Sequence, residues 1–281
     1  MSIIYQPGGR ALEYSPLALN LYKGCGHGCS YCYSPAALHM NPEQFHAGAT
    51  PRDGVIGQLQ KELKHGAPDN QILLSFTCDP YCLAEERYHL TREVLILLEL
   101  SHALVAVLTK GGTRCLRDDD IFQHFVQDSD GGIRVGATLT FLDAAKSKQH
   151  EPRAALPADR IAALQELNAA GIHTWASIEP VIEPEESLAV IRASLPFVDE
   201  YKIGKLNHQA SNTDWAVFLR DAVAIMREAH KSFYVKEDLR AYCPPDVKLN
   251  AWECDMDHLT LKRPPGFSTV AEPKRTQARL F

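Results

Sequence analysis

The chain has 281 residues, 45% of them hydrophobic and 23% charged, and a formal net charge of -6 at pH 7. This composition suits a folded α/β protein of one large or two small domains, and it speaks against a chain-wide basic surface for nucleic acid, leaving room only for a local basic groove. No apolar run reaches the ~20 residues of a bilayer span, and Met1 to Gly9 lacks the basic start and apolar stretch of a secretory leader. The expected location is therefore cytoplasmic, with no membrane partner. There thiols stay reduced and clustered cysteines serve metal binding or catalysis.

In chain order, 17–22 is a first apolar run that leads into a glycine-rich cysteine loop. A helix is predicted near 52–65. The run 71–77 reads as a strand, bounded by Asp69-Asn70 and Asp79-Pro80. A helix over 83–101 carries Leu90, Val94, Leu97 and Leu98 on one face. The strand 103–109 stops at Gly111-Gly112, and an acidic first turn opens a helix near 118–127. Strands then follow at 133–140, 172–178, 198–203 and 233–235. They alternate with helices at 157–170, 184–194 and 213–230, the last with Thr213 as its candidate cap.

Alternation of this kind implies parallel strands joined by right-handed crossovers, and six or seven successive units favour a full or partial barrel over a small open sheet. The expected organisation is an N-terminal extension over 1–16, a barrel over 17–240 and a partly flexible C-terminal extension over 241–281. The last stretch, 262–281, is rich in Pro, Lys and Arg and has no periodicity.

The most informative segment is Gly24-Cys25-Gly26-His27-Gly28-Cys29-Ser30-Tyr31-Cys32-Tyr33. Its spacing is C-x3-C-x2-C, and the glycines let the backbone wrap closely around a bound group. Three thiolates on a four-iron cube leave one iron open for a further ligand. Zinc is the alternative, but it takes four ligands, usually in two pairs. His27 lies between two of the cysteines, and no second CxxC or HxxxH pair follows. His27 reads as a loop-packing residue.

These residues resemble the radical S-adenosylmethionine (SAM) superfamily, whose C-x3-C-x2-C signature carries an aromatic residue before the last cysteine, here Tyr31. The stretch from Leu17 to Tyr33 is similar to the spore photoproduct lyase-related, DNA repair photolyase-like branch. Further matches to that branch are Ser75-Phe-Thr-Cys-Asp-Pro-Tyr, Leu90-Thr-Arg, Leu108-Thr-Lys and Glu151-Pro-Arg-Ala. The resemblance implies a partial (β/α)6 TIM-like barrel with a 4Fe-4S cluster on Cys25, Cys29 and Cys32, and SAM as the second cofactor. It also implies reductive SAM cleavage to a 5′-deoxyadenosyl radical that takes hydrogen from a substrate. An external one-electron reductant of the flavodoxin or ferredoxin type is the implied partner. A nucleic-acid lesion or base, a peptide and a small molecule are the candidate substrates.

Barrel sites form at the C-terminal ends of strands, so strand-end residues supply the remaining candidates. The Gly-Gly-Glu-like segment that holds the SAM amino group in the superfamily is missing. Thr77 and Asp79 stand in its region, and Asp79 is either an ammonium acceptor or the start of a turn. Cys78 is either a hydrogen-atom donor or a spare core thiol. Lys110 is positioned as a catalytic or SAM-carboxylate cation, and otherwise is a solvated lysine. Arg153 offers a fork to a carboxylate or pairs with Glu151 or Asp159. Tyr31, Thr138 and Glu179 complete the expected cofactor-binding set, with Thr140, Lys202, Lys205, Asn207 and Lys236-Glu237 as further rim groups. The rival reading is a non-catalytic zinc- or iron–sulfur-binding interaction protein. Cys115, Cys243 and Cys254 are too scattered to argue a second cluster.

Overall fold

The computed structural model describes residues 2–128 and 132–263. The apolar runs form one seven-stranded, all-parallel sheet whose order follows the chain. Its strands are β1 (Leu17–Ala18), β2 (Ile72–Leu74), β3 (Leu104–Thr109), β4 (Gly132–Thr138), β5 (His173–Ile178), β6 (Glu200–Ile203) and β7 (Ser232–Val235). Covering helices are α1 (Val55–Glu62), α2 (Leu90–Glu99), α3 (Asp119–Gln127), α4 (Ala144–His150), α5 (Pro157–Ala169), α6 (Pro184–Ser194) and α7 (Trp215–Glu228). Among the described residues no pairing joins β1 to β7, so the sheet curls into the expected partial barrel and stays open along one seam. No described helix is long and apolar enough to cross a membrane.

Two cores lie between the sheet and its helices, one under β1–β4 and one under β4–β7. Inside the barrel, Trp175 packs with Leu73 and Ala106 and donates Nε1–H to the Val107 carbonyl at 3.0 Å. Its neighbour on β4 is Gly136, where an added Cβ would stand 2.5 Å from both Nε1 and the carbonyl oxygen of Trp175. Backbone and a wedged indole have nowhere to go. Gly136→Ala is expected to cost about 1–3 kcal/mol, read as a lower urea midpoint at unchanged slope.

Several local expectations are corrected by tertiary partners. The helix expected over 83–101 breaks at His89, which is left-handed at φ 50, into Glu85–Tyr88 and α2. The buried Glu85 carboxylate captures the Thr91 amide at 2.9 Å and also receives Tyr22 Oη and the Arg117 guanidinium. The cap of α7 is Asp214, which accepts from the Ala216 and Val217 amides at 3.0 and 3.1 Å, and not Thr213. Strand β2 stops at Leu74 because Asn20 Oδ1 takes the amides of Phe76 and Thr77 at 2.9 and 3.0 Å. Short helices at Ser34–Ala37 and Pro42–His46, and α4, were not expected. Asn41 and Asp143 cap the last two.

The N-terminal segment is built into the fold. Tyr5 exchanges both backbone hydrogen bonds with Ala18 at the β1 edge. Glu13 accepts from Tyr234 Oη and the Glu237 amide at 2.8 and 2.7 Å beside β7. Residues 5–14 thus bridge the open seam. The C-terminal segment returns beneath the barrel, with Trp252 edge-on to Phe233 and Arg263 paired with Asp69 at 3.2 Å. The flexible tail expected over 262–281 lies, from 264 onward, outside the described residues.

Candidate active site

The cysteine loop leaves β1 at the C-terminal mouth of the barrel. Gly24 (φ 78) and Gly28 (φ 71) are left-handed, which favours glycine. A Cβ at Gly24 would stand 2.4 Å from the Gly48 carbonyl oxygen, and one at Gly28 3.0 Å from Arg153 Nη2. The Cys32 amide closes a turn onto the Cys29 carbonyl at 3.1 Å, and the Cys25 amide bonds the Phe45 carbonyl at 3.0 Å.

All three thiols are free and half-buried. Burial pushes Cys25 well up, with the Asp79 charge adding to it. Burial likewise pushes Cys29 up to about 11, with Lys110 pulling down and Glu151 and Cys32 pushing up. The thiols therefore sense one another along the loop. Among the described residues no three His, Cys, Asp or Glu side chains are already gathered in metal-ligand geometry. The donor set nevertheless fits an iron–sulfur cluster: soft thiol ligands alone, on a turn where a side chain at Gly24 would run into the Gly48 carbonyl. It fits zinc poorly. His27, the one local candidate for a fourth ligand, is buried with Nδ1 3.3 Å from the Arg153 carbonyl and Nε2 3.0 Å from Asp79 Oδ2. That second contact lacks the alignment of a hydrogen bond.

Asp79 is more than a turn starter. Its buried carboxylate accepts from the Tyr81 amide at 2.8 Å, Thr109 Oγ1 at 2.6 Å and the Lys110 amide at 2.7 Å, and it faces His27. Burial would raise its pKa, but His27 and these donors hold it well below the usual carboxylate range. It ties the ends of β2 and β3 to the cysteine loop. Thr77 is buried and anchored through its amide to Asn20.

Opposite, Tyr31 donates its hydroxyl to the buried Glu151, whose other oxygen receives Arg160 Nη2 at 2.5 Å. The Lys110 ammonium lies 5.7 Å from the Tyr31 ring centroid. Arg153 pairs with neither Glu151 nor Asp159. It flanks Gly28 and donates Nη2–H to the His46 carbonyl at 2.6 Å. Thr138 is buried at the end of β4, its carbonyl bonded to Arg160 at 2.9 Å.

Glu179 sits across the mouth, accepting from Tyr14 Oη at 2.6 Å, Lys236 Nζ at 2.6 Å and Asn207 Nδ2 at 3.0 Å. Lys202 and Lys236 are buried rather than solvated. Lys202 donates to the Glu13 and Tyr14 carbonyls, and burial with the nearby Arg134 and Lys236 charges pulls its pKa well down. Cys78 lies in the core under β1 and β2, where burial raises its pKa.

The structure thus brings Cys25, Cys29, Cys32, Tyr31, Asp79 and Lys110 together on one side of the mouth, with Glu179 apart from them in its own network. Sequence reasoning missed Tyr14, Glu151 and Arg160 as site-shaping groups. Glu151 was visible in the Glu151-Pro-Arg-Ala stretch, but nothing local marked it as buried.

A curled parallel sheet with this loop at its mouth is a partial TIM-like barrel, a fold it shares with spore photoproduct lyase and SuiB. Among solved structures, a spore photoproduct lyase variant superposes with a TM-score of 0.58 at 14% identity, covering 79% of this chain and 76% of that one. SuiB of Streptococcus suis bound to S-adenosylmethionine gives a TM-score of 0.55 at 15% identity, covering 83% and 53%. At such identities the likeness is one of fold.

In sequence, an uncharacterized protein of Methanocaldococcus jannaschii is 29% identical over 195 residues, 69% of this chain and 71% of that one. An uncharacterized protein of Mycobacterium tuberculosis is 28% identical over 181 residues, 63% and 52%. The chain spans about half the length of its mycobacterial relatives. No family model matches it.

Proposed function

We propose that this chain is a radical SAM enzyme holding a 4Fe-4S cluster on Cys25, Cys29 and Cys32, with 17–240 as the catalytic barrel and 1–16 and 241–281 as flanking extensions. The supporting observation is the three-thiol turn at the mouth of the barrel, with Asp79 pinned on one side and Tyr31 and Lys110 on the other. When bound, the cluster and SAM supply reductive sulfonium cleavage and hydrogen-atom abstraction.

The chain's own residues bind and orient. Lys110 offers its ammonium to the SAM carboxylate. Asp79 fixes the Lys110 amide and the cysteine loop. Tyr31, Thr77 and Thr138 line the cofactor side. Glu179, held by Lys236 and Tyr14, faces ribose or substrate, and Arg153 braces the loop through the His46 carbonyl. The reductant is an external flavodoxin- or ferredoxin-type partner in a reducing, cytoplasmic compartment. Of the solved neighbours, one SuiB structure is bound to its precursor peptide and one lyase structure holds S-adenosylmethionine with a dinucleoside spore photoproduct. The substrate here belongs to that range, a peptide or a nucleic-acid lesion or base.

Anaerobic reconstitution, then incubation with dithionite and SAM, is expected to release 5′-deoxyadenosine and methionine. Colourless protein holding zinc and leaving SAM intact would establish the non-catalytic alternative instead.

A further inference from the structure

The loop between α4 and α5 does not simply connect two helices. Residues 150–155 clasp the cysteine loop through its backbone. The Ser30 amide bonds the His150 carbonyl at 2.8 Å, and the Arg153 amide bonds the His27 carbonyl at 3.1 Å. Ser30 Oγ also lies 3.0 Å from His150 Nδ1. The Ala155 amide bonds the Lys110 carbonyl at 2.9 Å, so the same loop fixes the end of β3.

At the centre stands Glu151, 2% exposed. One carboxylate oxygen receives Tyr31 Oη, with Thr140 Oγ1 at 3.4 Å. The other receives Arg160 Nη2 at 2.5 Å and Ser147 Oγ at 3.3 Å. Arg160, 1% exposed, spends its remaining donors on the Ala155 and Thr138 carbonyls at 2.8 and 2.9 Å. Every polar atom of this buried pair is engaged, and the cysteine-loop side chain it hydrogen-bonds is Tyr31.

We infer that Glu151, oriented by Arg160, is a positioning residue that holds Tyr31 and thereby sets the placement of the Cys29 and Cys32 thiols. The physical reason is local. Tyr31 stands between those two cysteines, and the Cys29–Cys32 turn has one backbone hydrogen bond of its own. Pinning the phenol to a buried carboxylate removes the rotation by which the turn would splay. Supporting partners of this kind govern how tightly ligands hold a metal group. The inference rests on the cluster reading above, and part of its test does not.

Three variants are compared. Tyr31→Phe removes only the hydroxyl, Glu151→Gln keeps the shape and removes the charge, and Ser147→Ala removes a Glu151 partner that lies on α4, away from the cysteine loop. In anaerobically reconstituted protein, Tyr31→Phe and Glu151→Gln are expected to lose iron to a chelator about 10- to 100-fold faster than the parent. Their cluster electron-resonance signal shifts, while Ser147→Ala matches the parent. In metal-free protein, the melting temperature of Tyr31→Phe stays near the parent's, yet Cys29 and Cys32 react with a maleimide several-fold faster, about the effect of one lost orienting contact. Parent-like chelation and labelling rates in Tyr31→Phe would overturn the inference. If the parent takes up no iron, the cluster reading fails and the labelling rates alone decide this one. If Glu151→Gln does not fold, Tyr31→Phe still decides it.

Discussion

Serine in place of Cys25, Cys29 or Cys32, one at a time, is expected to leave a folded chain that comes out of anaerobic reconstitution colourless and does not cleave SAM. A serine hydroxyl stays protonated at neutral pH and is a hard donor, whereas iron–sulfur clusters select thiolates. The loop makes no provision for a substitute. His27 is committed to Asp79 and the Arg153 carbonyl, and Cys78 is packed in the core under the loop. The loss therefore exceeds the roughly 10- to 100-fold that follows removal of a supporting contact. The half-buried thiols stabilise the fold little by themselves, so melting temperatures of the metal-free proteins change only slightly. Iron and sulfide per chain, visible absorbance and 5′-deoxyadenosine formation are the measurements. A serine variant at any of the three positions with parent-like iron and turnover contradicts the assignment.

The largest effect on stability is expected from Arg160→Ala. The pair it breaks is almost fully buried, with side-chain exposures of 1% and 0% for Arg160 and Glu151. Removing one partner strands the other as an uncompensated buried charge, at a cost of about 3–5 kcal/mol. For a domain of this size that lowers the melting temperature by roughly 10 °C.

The pH dependence carries a sign. Burial alone would raise the Glu151 pKa, but Arg160 and Lys110 hold it below the ordinary value. In the parent, its stabilising contribution is complete above the unfolded carboxylate value of ~4.3 and is lost as pH falls through the depressed folded value. In Arg160→Ala the larger opposing charge and its hydrogen bond are gone, Lys110 is the charge left to oppose burial, and the folded pKa rises. Protonation then relieves the variant as pH falls, so the gap between parent and variant narrows from pH 7 toward pH 4. A constant gap in urea titrations across that range, or a melting temperature equal to the parent's, would contradict the electrostatic account.

Whatever is local along the chain is legible from the residues alone. The three cysteines fall within eight residues, so their number, spacing and glycine setting are visible without a fold. The strands were visible because a parallel sheet covered on both faces makes each one a short apolar run bounded by turn residues. The C-terminal mouth followed from the strand direction.

Tertiary structure decided everything that depends on partners distant in sequence. Tyr31 meets Glu151, 120 residues away, only when the sheet curls, and Tyr14 meets Glu179 only because the N-terminal segment crosses the open seam. Asp79 and Glu179 both read as strand-end acids, yet one is drawn to His27 and the cysteine loop and the other to Lys236 and Tyr14. The helix break at His89 likewise comes from Glu85 binding the Thr91 amide once Arg117 has fixed its carboxylate. A buried charge takes whichever partner the fold brings within reach, because leaving it unpaired costs more than any local preference contributes. That choice is made by sheet closure and not by neighbours in the chain.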